Sequence, residues 1–210
     1  MPQESTIVKT KIKKHLDYYE PRMSADGKYI AYASNDMGRY KVHLLNTETH
    51  KKAKVIFRAG WRTNTLFTDQ SIPLLAWDPS GKRLAFINDK RSNIFIRFYD
   101  VEKKKKTKNP IRKFQKVVSF NFMDSKQLVM SAIQNGQTDI YLYNLASTTT
   151  RKLTNDYFDD LYPAYINANG IHGIMFASNR EEDTLRAQRY ESQVMNKQLD
   201  LFFYDLDANQ

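Results

Sequence analysis

The chain has 210 residues, 41% hydrophobic and 13% aromatic, enough to bury a core in one or two domains and outside the range of disordered compositions. Its apolar runs are far shorter than the roughly 18 residues of a membrane-spanning helix, and without cysteine it has no disulfide, thiolate metal site or thiol nucleophile. The net charge of +10 calls for an anionic partner or for another reason to display lysine.

In chain order, Met1–Thr6 lacks the basic start and apolar stretch of a secretion signal, so no export signal is expected in the chain as given. Ile7–Lys14 reads as a basic outer strand. Tyr18–Met23 is a short strand, followed by the turn Ser24-Ala25-Asp26-Gly27-Lys28 and the strand Tyr29-Ile30-Ala31-Tyr32-Ala33. Asp-Gly supplies the positive φ of a tight turn, and the strand has β-branched and aromatic content. A third strand, Tyr40–Asn46, and a basic fourth, Ala53–Phe57, complete the unit.

The pattern then returns. Ile72–Trp77 leads through Asp78-Pro79-Ser80-Gly81-Lys82 into Leu84-Ala85-Phe86, then Ile94–Asp100 and Ile111–Phe114. Val117–Phe122 leads through Asp124-Ser125-Lys126 into Leu128–Ser131, then Asp139–Asn144 and Thr149–Leu153. Leu161–Ile166 leads through Asn169-Gly170 into Ile174–Ala177, then Asp200–Asp205. The equivalent residues Tyr32, Phe86, Met130 and Phe176 stand 54, 44 and 46 residues apart, a period of propeller blades. Each third strand ends in Asn or Asp, whose side chain closes a turn. Four-stranded sheets apolar on both faces are covered only by stacking on their neighbours, which favours a β-propeller over a β-sandwich.

The expected organisation is a single all-β propeller region over 1–210. It has an outer strand at 7–15, four-stranded antiparallel blades at 17–58, 71–115 and 117–154, and an incomplete blade at 160–206. The N-terminal strand would complete that last blade in a closed ring. The favoured expectation is instead a slice of a larger propeller, since four blades is the lower limit of the architecture.

The units resemble the repeats of the TolB-like (WD40-like) propellers, which run Pro, Ser-Pro-Asp-Gly-Lys, Ile-Ala-Phe, Ser-Asn-Arg, Ile-Tyr and Leu-Thr. Pro21, Ser24, Asp26-Gly27-Lys28, Ile30-Ala31-Tyr32 and Ser34-Asn35 carry the match in the first unit, and Trp77, Pro79, Gly81-Lys82 and Leu84-Ala85-Phe86 in the second. Asp139-Ile140-Tyr141 with Arg151-Lys152-Leu153-Thr154 carry it in the third, and Pro163 with Phe176-Ala177-Ser178-Asn179-Arg180 in the fourth. Asp124-Ser125-Lys126 and Asn169-Gly170 depart from Asp-Gly-Lys. The resemblance implies a periplasmic or envelope-associated interaction domain with protein partners; similar blades also form the propeller half of prolyl-oligopeptidase-type hydrolases.

No catalytic residue, cofactor or metal ligand is expected. A serine hydrolase needs a Gly-x-Ser-x-Gly elbow, and the sequence has none. His15, His43, His50 and His172 fall in different elements without metal-ligand spacing. Asp156, Asp159 and Asp160 read as solvated turn acids, since a calcium loop also needs its glycine and bidentate glutamate. Of 33 basic residues, 18 lie in the outer strands and their approach turns. Lysine there protects strand edges, which leaves polyanion binding, to nucleic acid or glycan, a minor alternative. Function is sought in two insertions, Arg58–Gln70 and Arg180–Gln198, whose candidate partner-binding residues are Trp61, Arg62, Arg180, Arg186, Arg189 and Tyr190.

Overall fold

A computed structural model of the protein describes residues 16–49, 53–60, 72–90, 93–180 and 198–208. The expected outer strand at 7–15 lies outside the described residues. Every regular element among those described is a strand. The first sheet is β1 (Asp17–Met23), β2 (Tyr29–Asp36), β3 (Arg39–Asn46) and β4 (Lys54–Ala59), hydrogen-bonded in chain order. The second is β5 (Leu74–Trp77), β6 (Arg83–Lys90), β7 (Asn93–Asp100) and β8 (Lys106–Ile111). The third is β9 (Lys116–Phe122), β10 (Gln127–Gln134), β11 (Gln137–Asn144) and β12 (Thr150–Lys152). The fourth is β13 (Asp160–Ala168), β14 (Ile171–Ser178) and β15 (Asp200–Asp205), three strands among the described residues. All pairings are antiparallel.

Alternation along each strand sends successive side chains to opposite faces, so a middle sheet feeds two cores. Val42, Leu44 and Ile56 of the first sheet meet Leu75, Leu84 and Phe86 of the second. Ile94, Ile96 and Phe98, on the other face of the second sheet, meet Phe120, Met130 and Tyr141 of the third. Val129 and Ile140 meet Ile174, Phe176 and Tyr204 of the fourth. The first strands touch in the order β1, β5, β9, β13, and no packed seam joins the first sheet to the fourth among the described residues. The sheets form an arc of four propeller blades.

The repeated turns show why the motif residues recur. Ser24 Oγ accepts from Tyr29 N at 3.0 Å and donates to Asp26 Oδ1 at 2.6 Å. In the second blade Asp78 takes the place of Ser24, accepting from Arg83 N at 3.0 Å, and Ser80 that of Asp26, donating to Asp78. Gly27 and Gly81 hold φ near 71° in both. The third turn lacks glycine because its loop is one residue shorter: Leu128 pairs with Phe122, where Ile30 pairs with Met23, and no residue from Asp124 to Lys126 has positive φ. In the fourth, Ala168 pairs directly with Ile171, and Asn169-Gly170 is a two-residue turn with both φ positive. After the third strands, Asn46, Asp100, Asn144 and Asp205 each accept backbone N–H bonds from two or three residues ahead.

These turns lie on one rim of the arc. Ala59 pairs with Tyr40, Leu74 with Ile87, and Ser178 with both Asp160 and Asp200. The chain therefore leaves and re-enters the sheets for both insertions on the opposite rim, as the blade order requires.

Candidate functional site

Trp61, Arg62, Arg186, Arg189 and Tyr190 lie outside the described residues. Arg180 is described, and it corrects the expectation of a partner contact: the residue is 3% exposed. Its Nη2 donates to Asp160 Oδ1 and Oδ2 at 2.7 and 2.8 Å, and its Nε donates to Ser178 Oγ at 3.0 Å. Asp156 Oδ2 lies 3.1 Å from Nη2, in ionic contact. Phe158, Phe176 and Phe202 pack round the guanidinium with ring centroids 5.4–5.8 Å away. Asp156 and Asp160 are correspondingly buried, so of the three expected solvated acids only Asp159 is exposed. The strand ends explain this. Asp160 and Ser178 are register partners on the face turned to the third blade, and an arginine leaving β14 there meets two carboxylates that need a cation.

A second ion pair has one buried partner. Lys152 Nζ is 2.7 Å from Asp139 Oδ2, and Asp139 is fully buried. Burial pushes the carboxyls of Asp139 and Asp156 up, and Lys152 and Arg180 respectively draw them back down. Each carboxylate has a cation beside it. Among the described residues no group of three or more acids, histidines or cysteines is placed to hold a metal ion.

One serine–histidine contact occurs, between Ser34 Oγ and His43 Nε2 at 2.8 Å. Ser34 is 1% exposed, and His43 stacks on Tyr32 at 4.7 Å. Burial, then Lys41, lowers the imidazole to about 4, which makes it a poor base. The pair is a polar link across the sheet.

Three surfaces remain. The far face of the fourth sheet carries the register rows Leu161–Ala177–Leu201 and Ala164–Met175–Phe203, all apolar. Leu201 is 74% and Phe203 44% exposed. The unbroken run Leu201-Phe202-Phe203-Tyr204, apolar on both faces, is the sequence signal for it. A cleft of about 330 Å3 opens on the insertion rim, lined by Tyr19, Glu20, Asn88, Asp89, Lys116 and Val117 among others. A larger cleft, about 470 Å3, lies between β4 and β8 and is lined by Phe57, Arg58, Phe86, Arg97, Lys106 and Lys108 among others.

No family model and no curated protein sequence matches this chain. Solved structures do. TolB from Acinetobacter baumannii superimposes with a TM-score of 0.64 at 17% identity, over 91% of this chain and 41% of that one. The fold is that of a TolB-like β-propeller. A second structure, described as a putative TolB from Agrobacterium tumefaciens, matches 90% of this chain and 77% of its own length, with a TM-score of 0.54 at 14% identity. A puromycin-hydrolyzing peptidase from Mycobacterium tuberculosis matches 95% of this chain and 31% of its own length, with a TM-score of 0.63 at 13% identity. The chain thus spans less than half of the first and third of these proteins. Likeness at such identity shows the fold, which the TolB proteins share with a peptidase.

Proposed function

We propose that the chain is a non-catalytic protein-interaction scaffold of the bacterial cell envelope, acting as a single TolB-like propeller region. The observation that carries this reading is the far face of the fourth blade, where Leu201 and Phe203, in neighbouring register rows, and Ile171, further along β14, are exposed apolar side chains. Envelope location rests on the likeness to TolB. Trp61, Arg62, Arg186, Arg189 and Tyr190 are proposed as further partner contacts. Quantitative capture of envelope proteins by wild type, by the pair Leu201→Asp and Phe203→Asp, and by a deletion of 183–195 tests it. The reading expects both variants to fold and to lose partners; unchanged capture by both overturns it.

A second reading, the propeller part of a peptidase, is favoured by the coverage of the peptidase match, 95% of this chain. A serine-directed fluorophosphonate probe applied to the full-length gene product separates the two. Labelling supports the peptidase reading, and its absence supports the scaffold.

A further inference from the structure

The cleft between β4 and β8 departs from the pattern that the repeat itself sets. In the third blade Lys152 pairs across β11 with Tyr141, and its charge is met by the buried carboxylate of Asp139. The same positions 44 residues earlier hold Lys108, Arg97 and Phe95, with Lys108 the register partner of Arg97. A carboxylate has become a phenyl ring and a phenol a guanidinium, so the local charge rises by two. Arg58 and Lys106 add two more cations to the lining, which contains no acid. Among the described residues no carboxylate lies within ion-pair distance of Arg58, Arg97, Lys106 or Lys108.

Two of these cations are held in place by packing. Arg97 Nε donates to Asn88 Oδ1 at 3.0 Å, and its guanidinium carbon lies 5.0 Å from the Phe57 ring centre and 5.4 Å from that of Phe95. Lys108 Nζ sits 3.8 Å from the Phe95 centre. Stacking fixes the guanidinium plane while its terminal nitrogens, both donors, have no protein acceptor among the described residues. Strand alternation aims Lys106 and Lys108 at the first blade, where edge protection alone would not require two lysines. The floor, Phe57 and Phe86, is apolar and has ring centres 5.0 Å apart.

We infer that this cleft binds a phosphate-bearing organic ligand, its phosphate held by Arg97, Lys108 and the flanking Arg58 and Lys106, and its apolar body lying against the half-buried Val55 and Phe57. The volume falls in the range of small-molecule sites, about 300–1,000 Å3. A planar fork beside point charges suits phosphate. The inference is independent of the scaffold reading, since it uses neither the far face of the fourth blade nor the insertions.

The test is calorimetric titration at low salt with phenyl phosphate, inorganic phosphate and phenol against wild type, Lys108→Ala, Arg97→Lys and Lys103→Ala. Lys108 and Lys103 are both exposed, and Lys103, in the turn before β8, does not line the cleft. Phenyl phosphate is expected to bind more tightly than inorganic phosphate, and phenol not at all. Lys108→Ala and Arg97→Lys should each weaken phenyl phosphate by about tenfold or more, the worth of a charge-assisted hydrogen bond. Lys103→Ala should change it less than about twofold. Folding is verified by circular dichroism, and Lys108→Ala keeps the test valid if Arg97→Lys is unstable. Equal losses in Lys108→Ala and Lys103→Ala, or binding of inorganic phosphate as tight as that of phenyl phosphate, would overturn the site. Preference for anionic vesicles over phenyl phosphate, abolished by Lys108→Ala, would identify the source of the phosphate as a lipid headgroup and support it.

Discussion

Replacing Arg180 with methionine should be among the most damaging single changes in the chain. The side chain is 1% exposed and faces two carboxylates whose side chains are fully buried. Methionine keeps the packing against Phe158, Phe176 and Phe202 but leaves Asp156 and Asp160 without their cation. Removing one partner from a buried ion pair costs about 3–5 kcal/mol, a large share of the roughly 5–15 kcal/mol that stabilises a typical domain. The triple variant Arg180→Met, Asp156→Asn, Asp160→Asn should recover most of that loss, because no charge is left stranded. The sign of the pH effect follows from burial. With the cation gone, burial pushes the Asp156 carboxyl further up in the folded state, so the fold binds a proton that the unfolded chain releases above about pH 4. The deficit of Arg180→Met is therefore smallest near pH 4 and grows toward neutrality. Urea titrations at pH 4.5 and 7.5 read it directly. A loss under about 1 kcal/mol at pH 7.5 would show that Arg180 is solvated and would refute the buried ionic lock.

His43 should make the protein acid-sensitive. Its imidazole is held at about 4 by burial and Lys41, so stability is fully present above about pH 6.5 and is lost as pH falls toward 4. The loss is on the order of 1 kcal/mol after discounting for partial exposure, and it should vanish in His43→Gln, as thermal melts across that range would show. Gly173→Ala should destabilise the fourth blade by about 1–3 kcal/mol, because a β-carbon would collide with the Phe203 ring and with the backbone carbonyl of Tyr204. Denaturant midpoints test this, and a wild-type value would mean that β14 and β15 are spaced more widely. Leu201→Lys, at an exposed position, should change stability by less than about 0.5 kcal/mol while reducing partner capture.

What was legible in the sequence is what short-range chemistry determines. Asn46, Asp100, Asn144 and Asp205 close turns with their own backbone neighbours, and Ser24-Asp26-Gly27 is complete within six residues, so both recur visibly in the chain. The turn at Asp124 departed from the motif for a reason that only the register shows, a loop shorter by one residue. Arg180 was misread because its carboxylates lie more than 19 residues earlier and reach it only when β13 pairs with β14. Asp156, between Asn155 and Tyr157, and Asp160, beside Asp159 at the start of β13, carried no local sign of burial. The basic residues were counted as an edge rim, which describes Lys103–Lys105 but not Lys108. The available signal was an arginine inside the apolar run Ile94-Phe95-Ile96-Arg97-Phe98, where the equivalent strand of the third blade has tyrosine.

The central claim, that the far face of the fourth blade receives a partner protein, is tested most directly by photo-crosslinking in the cell. A photoreactive amino acid in place of Phe203, 44% exposed on that face, reports what lies against it. The account predicts adducts between this protein and a different envelope protein, lost when Leu201 is changed to Asp. Adducts formed solely within the protein's own chain would contradict it and make the face a seam between blades.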